Sequence, residues 1–483
     1  MGVAFASRLS LVITLANLAG CVSIKGPPVP NLPIPVAFTS PVERAHPWPS
    51  VDWWVAFGSP QLCRLIHEAQ VKNPDIRTAA AQFAAADANL LVAGASRQPA
   101  FAVGGGGVDE KIGKQAIEAS SPLGGLNAKS LPSMDSYLHV YSLSFSASYE
   151  IDFWGKNLDK RRAAIANADA SRFNRDSVAL SVEALIADTY FQILADQEQI
   201  TIARREVVTA RRALTKAQDE YAAGTVDRSG VAQAQAAVAA DRAALSQMRQ
   251  NAREATLSLA TLVGVAPEDL PAIRGGLDSL KVPPIAPGNP AGLLARRPDV
   301  AQARALLEAA GADVAGAKAQ ALPSITLTGA TGWQSTALSS LFEPQSILQN
   351  AVASMTQPLF EGGLLLGGYR ESQAIFREDV ARYQQSWIQA LTDVEQQLTA
   401  LHETTDEEAA YAQAVASART NFDVANANFE RGTVDVGSVT NAEQALLSEQ
   451  SLRVQANLAR FVAAANLFKA MGGGWISQPT VEK

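Results

Sequence analysis

From Tyr137 to Asp152 apolar and polar residues alternate almost without a break. Tyr137, Tyr141, Leu143, Phe145, Ala147, Tyr149 and Ile151 share one face of an extended chain, and Ser142, Ser144, Ser146, Ser148, Glu150 and Asp152 share the other. The period of two, with a Tyr-rich side and a Ser-rich side, predicts a β-strand with lipid on one face and water on the other. A half-buried strand of a soluble sheet has the same pattern, so this segment alone leaves both open. Weaker strand patterns run over 99–108, 323–333 and 348–359, and Gly104 to Ser136 is predicted to be a loop facing the cell exterior. After each pair of strands comes a stretch with no Gly or Pro, Lys156 to Ala223 in the first case and Tyr369 to Arg431 in the second. As α-helices each would be roughly 95–100 Å long at 1.5 Å per residue, far longer than a globular core requires. Each is followed by a second helical pattern. Leu245, Met248, Ala252, Ala255, Leu259 and Leu262 are spaced alternately by three and four, and Leu447, Val454, Phe461 and Phe468 recur every seven. Such spacing predicts helices packed as coiled coils.

The whole pattern occurs twice. Asn73-Pro74-Asp75-Ile76 is answered by Arg297-Pro298-Asp299-Val300, and Pro99 and Gly105 by Pro323 and Gly329 at the same offset. Tyr221 to Asp227 is answered by Phe429 to Asp435. The chain therefore divides into segment 52–265, a Pro-rich connector 266–290, segment 291–475 and a tail 476–483. No mature segment has eighteen consecutive apolar residues, so a membrane crossing would have to be a closed β-barrel. Four strands cannot close, since the smallest outer-membrane barrels have eight. Strands from several chains must then combine; eight from two chains and twelve from three both satisfy that count.

Composition narrows the class. Charged residues are 18% of the chain and the net charge is −7, with no basic run interleaved with aromatics, so nucleic acid is not an expected partner. Residues 1–20 read as an export signal: Arg8, then an apolar run too short to span a bilayer, ending Leu18-Ala19-Gly20-Cys21. Small residues before a cysteine resemble a bacterial lipoprotein signal, which makes Cys21 the expected N-acyl and diacylglycerol attachment point and 21–51 a Pro-rich linker. Cys63, the other cysteine, then has no disulfide partner in its chain, and a small buried thiol is expected there. An enzyme is disfavoured. His46, His67, His139 and His402 are dispersed without ligand spacing, and the glycine run before Gly113-Lys114-Gln115 lacks the spacing of a phosphate loop.

Several motifs together resemble one family. Tyr149-Glu150-Ile151-Asp152-Phe153-Trp154-Gly155-Lys156, Leu294-Ala295-Arg296-Arg297-Pro298-Asp299-Val300, Pro358-Leu359-Phe360-Glu361-Gly362-Gly363 and Ala470-Met471-Gly472-Gly473-Gly474-Trp475 are similar to signatures of TolC-like outer-membrane efflux lipoproteins of the NodT type. The resemblance covers the chain from the signal to Trp475. It implies an α+β membrane protein with two internal repeats: a β-barrel of four strands per chain and twelve per trimer, continuous with a long α-helical periplasmic tunnel. It implies no cofactor beyond the lipid on Cys21. The implied partners are two further copies, outer-membrane lipid, a periplasmic adaptor and an inner-membrane transporter of the resistance-nodulation-division class, for which the channel is a passive exit duct.

By the same resemblance the adaptor-docking tips are Ala223, Gly224 and Thr225 in one hairpin and Arg431, Gly432 and Thr433 in the other. The periplasmic gate is expected between Arg431 and Asn441. Ser438 and Asn441 stand where TolC-like channels place aspartates, so Asp435 is the nearest acid and Arg431 the nearest cation to pair with it. Two rivals share the sequence features: an exit duct for polypeptide secretion and a coiled-coil lipoprotein with no pore.

Overall fold

The computed structural model describes residues 26–30, 33, 35, 37–39, 48–112, 136–285 and 288–476. The export signal, Cys21, residues 477–483 and most of the expected exterior loop lie outside the described residues. The chain separates into two compact units. Among the described residues the first comprises 26–29, Ala86–Asn167 and Leu307–Asp379; the second comprises Pro30–Ala85, Ala168–Leu306 and the chain from Val380.

The element order repeats. A helix α1 (Pro60–Lys72), capped by Ser59, leads to α2 (Pro74–Ala95), strands β1 (Ala100–Ile112) and β2 (Ser136–Ile151), and helices α3 (Lys156–Ala222) and α4 (Arg228–Val263). A short α5 (Pro290–Leu294) then leads to α6 (Pro298–Gln320), β3 (Ser324–Ser335), β4 (Ile347–Thr356), α7 (Leu364–Glu430) and α8 (Val436–Ala470). Helices α3 and α7 have 67 residues each, about 100 Å at the α-helical rise. One 18-residue stretch of α3 has a mean hydropathy of 1.4, but half of it is buried within the protein, as in a core helix.

The first unit holds one antiparallel sheet in the order β1-β2-β3-β4. Residues 104–108 fall both in the expected strand 99–108 and in the expected loop from Gly104, and the structure decides for the strand. Strand β1 continues through Gly104–Gly107, paired with Ser144, Leu143, Ser142 and Tyr141, and ends only at Ile112. Glycine weakens a strand because it has no side chain to pack. The neighbouring strand supplies that packing: the Tyr141 ring lies 3.4 Å from where a Gly107 Cβ would sit, and Leu143 Cδ1 lies 3.5 Å from the same point on Gly105. A cross-strand ring over a glycine is an established way to keep it in a sheet. Helix α7 also begins earlier than Tyr369, taking in Gly367 and Gly368. Each glycine costs about 1 kcal/mol relative to Ala, too little to stop a helix of this length.

The second unit carries the main core, in which Trp53, Trp54, Phe57, Phe191 and Phe461 are fully buried. Phe57 packs on Phe191, Phe461 and Phe468 at centroid distances of 5.1–6.1 Å. The heptad positions Leu447, Phe461 and Phe468 of α8 are buried, with Val454 half-buried against the same cluster. The paired tryptophans of Asp52-Trp53-Trp54 are core residues: Trp53 stacks on Phe468 at 5.3 Å. Cys63 is a free thiol on α1, half-buried and packed against this core.

Candidate functional site

The sheet has two chemically distinct faces, fixed by register. Leu143 pairs with Trp333, Phe145 with Val103, Tyr149 with Leu327, and Ile151 with Ile325, which pairs with Met355. Directly opposed residues share a face, so these form one apolar surface across all four strands. The other face carries Ser142, Ser144, Ser146 and Ser148 with Thr326, Thr328, Asn350 and Ser354. From Tyr149 to Tyr141 the apolar face extends about 27 Å at 3.4 Å per residue. That matches the ~25 Å apolar band of outer-membrane barrels, and the tyrosines stand at its two ends, where interfacial aromatics belong. Strand β4 is exposed along its entire length, and β1 and β4 each leave one edge unpaired.

The two helix tips are built alike. At the end of α3, Gly224 N–H donates to Tyr221 O (3.0 Å) and Thr225 N–H to Glu220 O (2.9 Å). At the end of α7, Gly432 N–H donates to Phe429 O (2.9 Å) and Thr433 N–H to Asn428 O (3.0 Å). This double bond pattern is a Schellman closure, which places a left-handed residue just past the helix. Gly224 (φ 74°) and Gly432 (φ 73°) supply it. Nothing lies within 4 Å of a Cβ at either glycine, so backbone conformation alone selects the residue. Each return helix then opens on an aspartate cap. Asp227 accepts from Ser229 and Gly230 N–H, and Asp435 accepts from Ser438 N–H (2.9 Å) and Oγ (2.8 Å).

The tips differ in charge. Asp435 forms an ion pair with Lys216 of α3. One turn before Lys216, Arg212 Nη1 pairs with Glu443 Oε2 of α8 at 3.3 Å. Hydrogen bonds from Lys216 and then from Ser438 hold the Asp435 carboxyl far below the usual carboxylate range. Asp227 has no such cation among the described residues; its carboxyl is lowered by the Ser229 hydroxyl and the backbone of its own turn. Of the expected gate residues, the structure brings Asp435 and Ser438 together. Arg431 and Asn441 are exposed, and among the described residues Arg431 pairs with no acid. Lys216 was not expected, because it lies 219 residues from its partner. The one available signal is spacing: Arg212 and Lys216, one turn apart on α3, pair with Glu443 of α8 and with Asp435, which caps α8 about two turns earlier.

The outer membrane efflux protein family model matches residues 65–265 and 290–473. The chain belongs to this family. Outer membrane efflux proteins similar to it include the pyoverdine export outer membrane protein OpmQ of Pseudomonas putida, 32% identical over 97% of both chains. The probable outer membrane lipoprotein SilC of Salmonella typhimurium is 27% identical over 98% of this chain and all of that protein. The crystal structure of the CmeC outer membrane channel of Campylobacter jejuni superposes with a TM-score of 0.83 at 21% identity, covering 95% of this chain and 96% of that one. The fold is that of an outer-membrane channel: barrel-forming strands, long tunnel-forming helices, and two internal repeats. The protein is an outer-membrane efflux channel.

Family membership gives the quoted signatures a physical reading. Arg297, 7% exposed, donates from Nη2 to Asp299 Oδ2 (2.6 Å) and Asp393 Oδ2 (2.9 Å), and from Nη1 to Ala470 O (3.0 Å). One guanidinium therefore joins the start of α6 to α7 and to the end of α8. The glycines that follow α8 have φ of 86°, 55° and 76°. A Cβ on Gly472 would lie 2.1 Å from Arg296 O, and one on Gly474 2.3 Å from Ser50 O, so bulk is excluded as well as L-chirality.

Proposed function

We propose that three copies of the chain close a twelve-stranded barrel and a helical tunnel, and that this trimer is the passive exit duct of a tripartite efflux pump. The observation that carries the proposal is the four-stranded sheet with an apolar face and two open edges. Unpaired edges are not tolerated in lipid, so β4 of one copy pairs with β1 of the next. Exposed Leu359 (92%) and Phe360 (88%), just beyond β4, are covered by the same neighbour.

A periplasmic adaptor grips the two tips at Ala223, Gly224, Thr225 and Arg431, Gly432, Thr433, and an inner-membrane transporter of the resistance-nodulation-division class loads the duct. Cys21 carries the N-acyl and diacylglycerol lipid, a reading supported by the lipoprotein name of SilC. The gate lies at the start of α8, where Asp435 and Ser438 sit at the neck and the Lys216 and Arg212 pairs hold α8 against α3 in the closed state. Small molecules are the cargo, as they are for the pyoverdine exporter at 32% identity.

Native mass spectrometry of the detergent-extracted protein tests the assembly. Three chains per particle are expected, and a stable monomer would sink the shared barrel. Radiolabelled fatty acid should enter the wild type and not Cys21→Ser; equal labelling of both would remove the anchor.

A further inference from the structure

One groove of the first unit carries charged side chains of a single sign, both cationic. It has a volume of about 470 Å³ and lies between α6 and α7, with Gly26 and Pro27 at its rim. Its floor is apolar, with Phe376 and Tyr369 from α7 facing Val314 and Ala315 of α6. Its charged groups are Lys318 and Arg377, and no carboxylate lines it. Both side chains are exposed. Among the described residues neither pairs with an acid; Arg377 Nε is engaged only by the Gln373 carbonyl, at 3.2 Å. The Tyr369 hydroxyl accepts from Gln373 Nε2 at 2.9 Å and keeps its own proton to donate.

The level of the groove matters as much as its charge. Lys318 precedes the first residue of β3 by six positions, and Tyr369 stands at the fifth residue past the start of α7. Beyond the Tyr149 end of the band the same face has one further row, Ile151, Ile325 and Met355, its final residues. Two cations just beyond an apolar band stand at the depth of lipid phosphates. The N-terminal segment fixes the side. Gly26 is pressed onto α6 so closely that a Cβ would meet Gly311 O at 2.2 Å, and Cys21 lies only five residues earlier. If Cys21 is lipidated, the rim of the groove opens toward the bilayer and not toward the pore; this step alone rests on the anchor proposed above.

We propose that this groove binds the headgroup of an anionic phospholipid, with Lys318 and Arg377 on the phosphate, Tyr369 donating to it, and the start of the acyl chains against Phe376. The chain's own anchor is a poorer occupant, because an acylated diacylglyceryl cysteine carries no charge for the two cations. The volume is in the range of ordinary small-ligand sites.

Native mass spectrometry of the detergent-extracted assembly, with lipid added back, tests this. Phosphatidylglycerol should be retained in preference to phosphatidylcholine. Lys318→Gln with Arg377→Gln should weaken retention about 25-fold, taking each surface cation as worth about fivefold. Lys318→Arg with Arg377→Lys, which keeps both charges, should retain the lipid and so exclude a general folding defect. Equal retention of the two lipids, or a double Gln variant that binds as the wild type does, would overturn the proposal. Competition by inorganic phosphate at the concentration that saturates the lipid would make the groove a simple anion site and overturn the lipid assignment. The Cys21→Ser protein separates the two readings. Loss of phosphatidylglycerol from an unlabelled Cys21→Ser protein would mean that the lipid is held through the anchor and not by the groove, and would overturn the proposal, whereas selective retention there supports the groove on its own.

Discussion

Glu183 is buried where α3 meets α1, 9% exposed, and accepts a hydrogen bond from Gln70 Nε2 at 2.8 Å. Burial pushes its carboxyl up from an ordinary 4.5 to about 7, against the opposing pull of Gln70. The surrounding titratable groups are Asp52, which reinforces the rise, and His67, which opposes it. The sign follows from linkage. The folded protein holds this proton more tightly than the unfolded chain, so the stabilisation is fully present below about 4.5 and is lost as pH rises through about 7. A shift of about 2.5 units at 1.36 kcal/mol per unit corresponds to roughly 3 kcal/mol. Glu183→Gln keeps the shape and the Gln70 contact and removes the titration. Guanidinium denaturation followed by helical circular dichroism should show wild type losing stability between pH 4 and pH 8, and the variant losing roughly 3 kcal/mol less over the same interval. Parallel pH profiles for the two proteins would refute the reasoning and mean that water reaches the carboxyl.

Asp188, also on α3, is raised to about 6 by burial; Asp188→Asn should flatten the remaining slope between about pH 4 and 6, read in the same assay. Removing the buried guanidinium with Arg297→Met should lower stability by about 3–5 kcal/mol, because Asp299 and Asp393 lose their shared partner; the denaturation midpoint reports it, and Arg297→Lys should recover less than half, lacking the fork that reaches Ala470 O. Gly432→Val forces a β-branched residue to φ 73°, at about 1–2 kcal/mol, and should abolish adaptor pull-down with normal membrane insertion, while Gly432→Asn, which tolerates that conformation, should retain it.

The sheet was legible wherever alternation was strict. Tyr137 to Asp152 became β2 within one residue at each end, because a one-residue slip would exchange the apolar and hydroxyl faces. The glycine run at 104–107 fitted both a strand and a loop, because the two differ there only in what lies across from it, and Tyr141 is not local to it in sequence. The tips were legible because the same turn chemistry is written twice. The ion pair of Asp435 was not: the chain offered Arg431 four residues away, while the fold brings Lys216 from another helix. The Arg297 signature was recognisable as a motif, but its function as a three-helix tie depends on Asp393 and on the Ala470 carbonyl, which only the packed structure brings together.

Single-channel conductance in planar bilayers tests the central claim most directly. If the assembly is a duct gated at the start of α8, Asp435→Ala and Lys216→Ala should each raise conductance or open probability, and the double variant should add little to either, since both remove one contact. Absence of any pore from the purified trimer, or identical records from wild type and both variants, would contradict it.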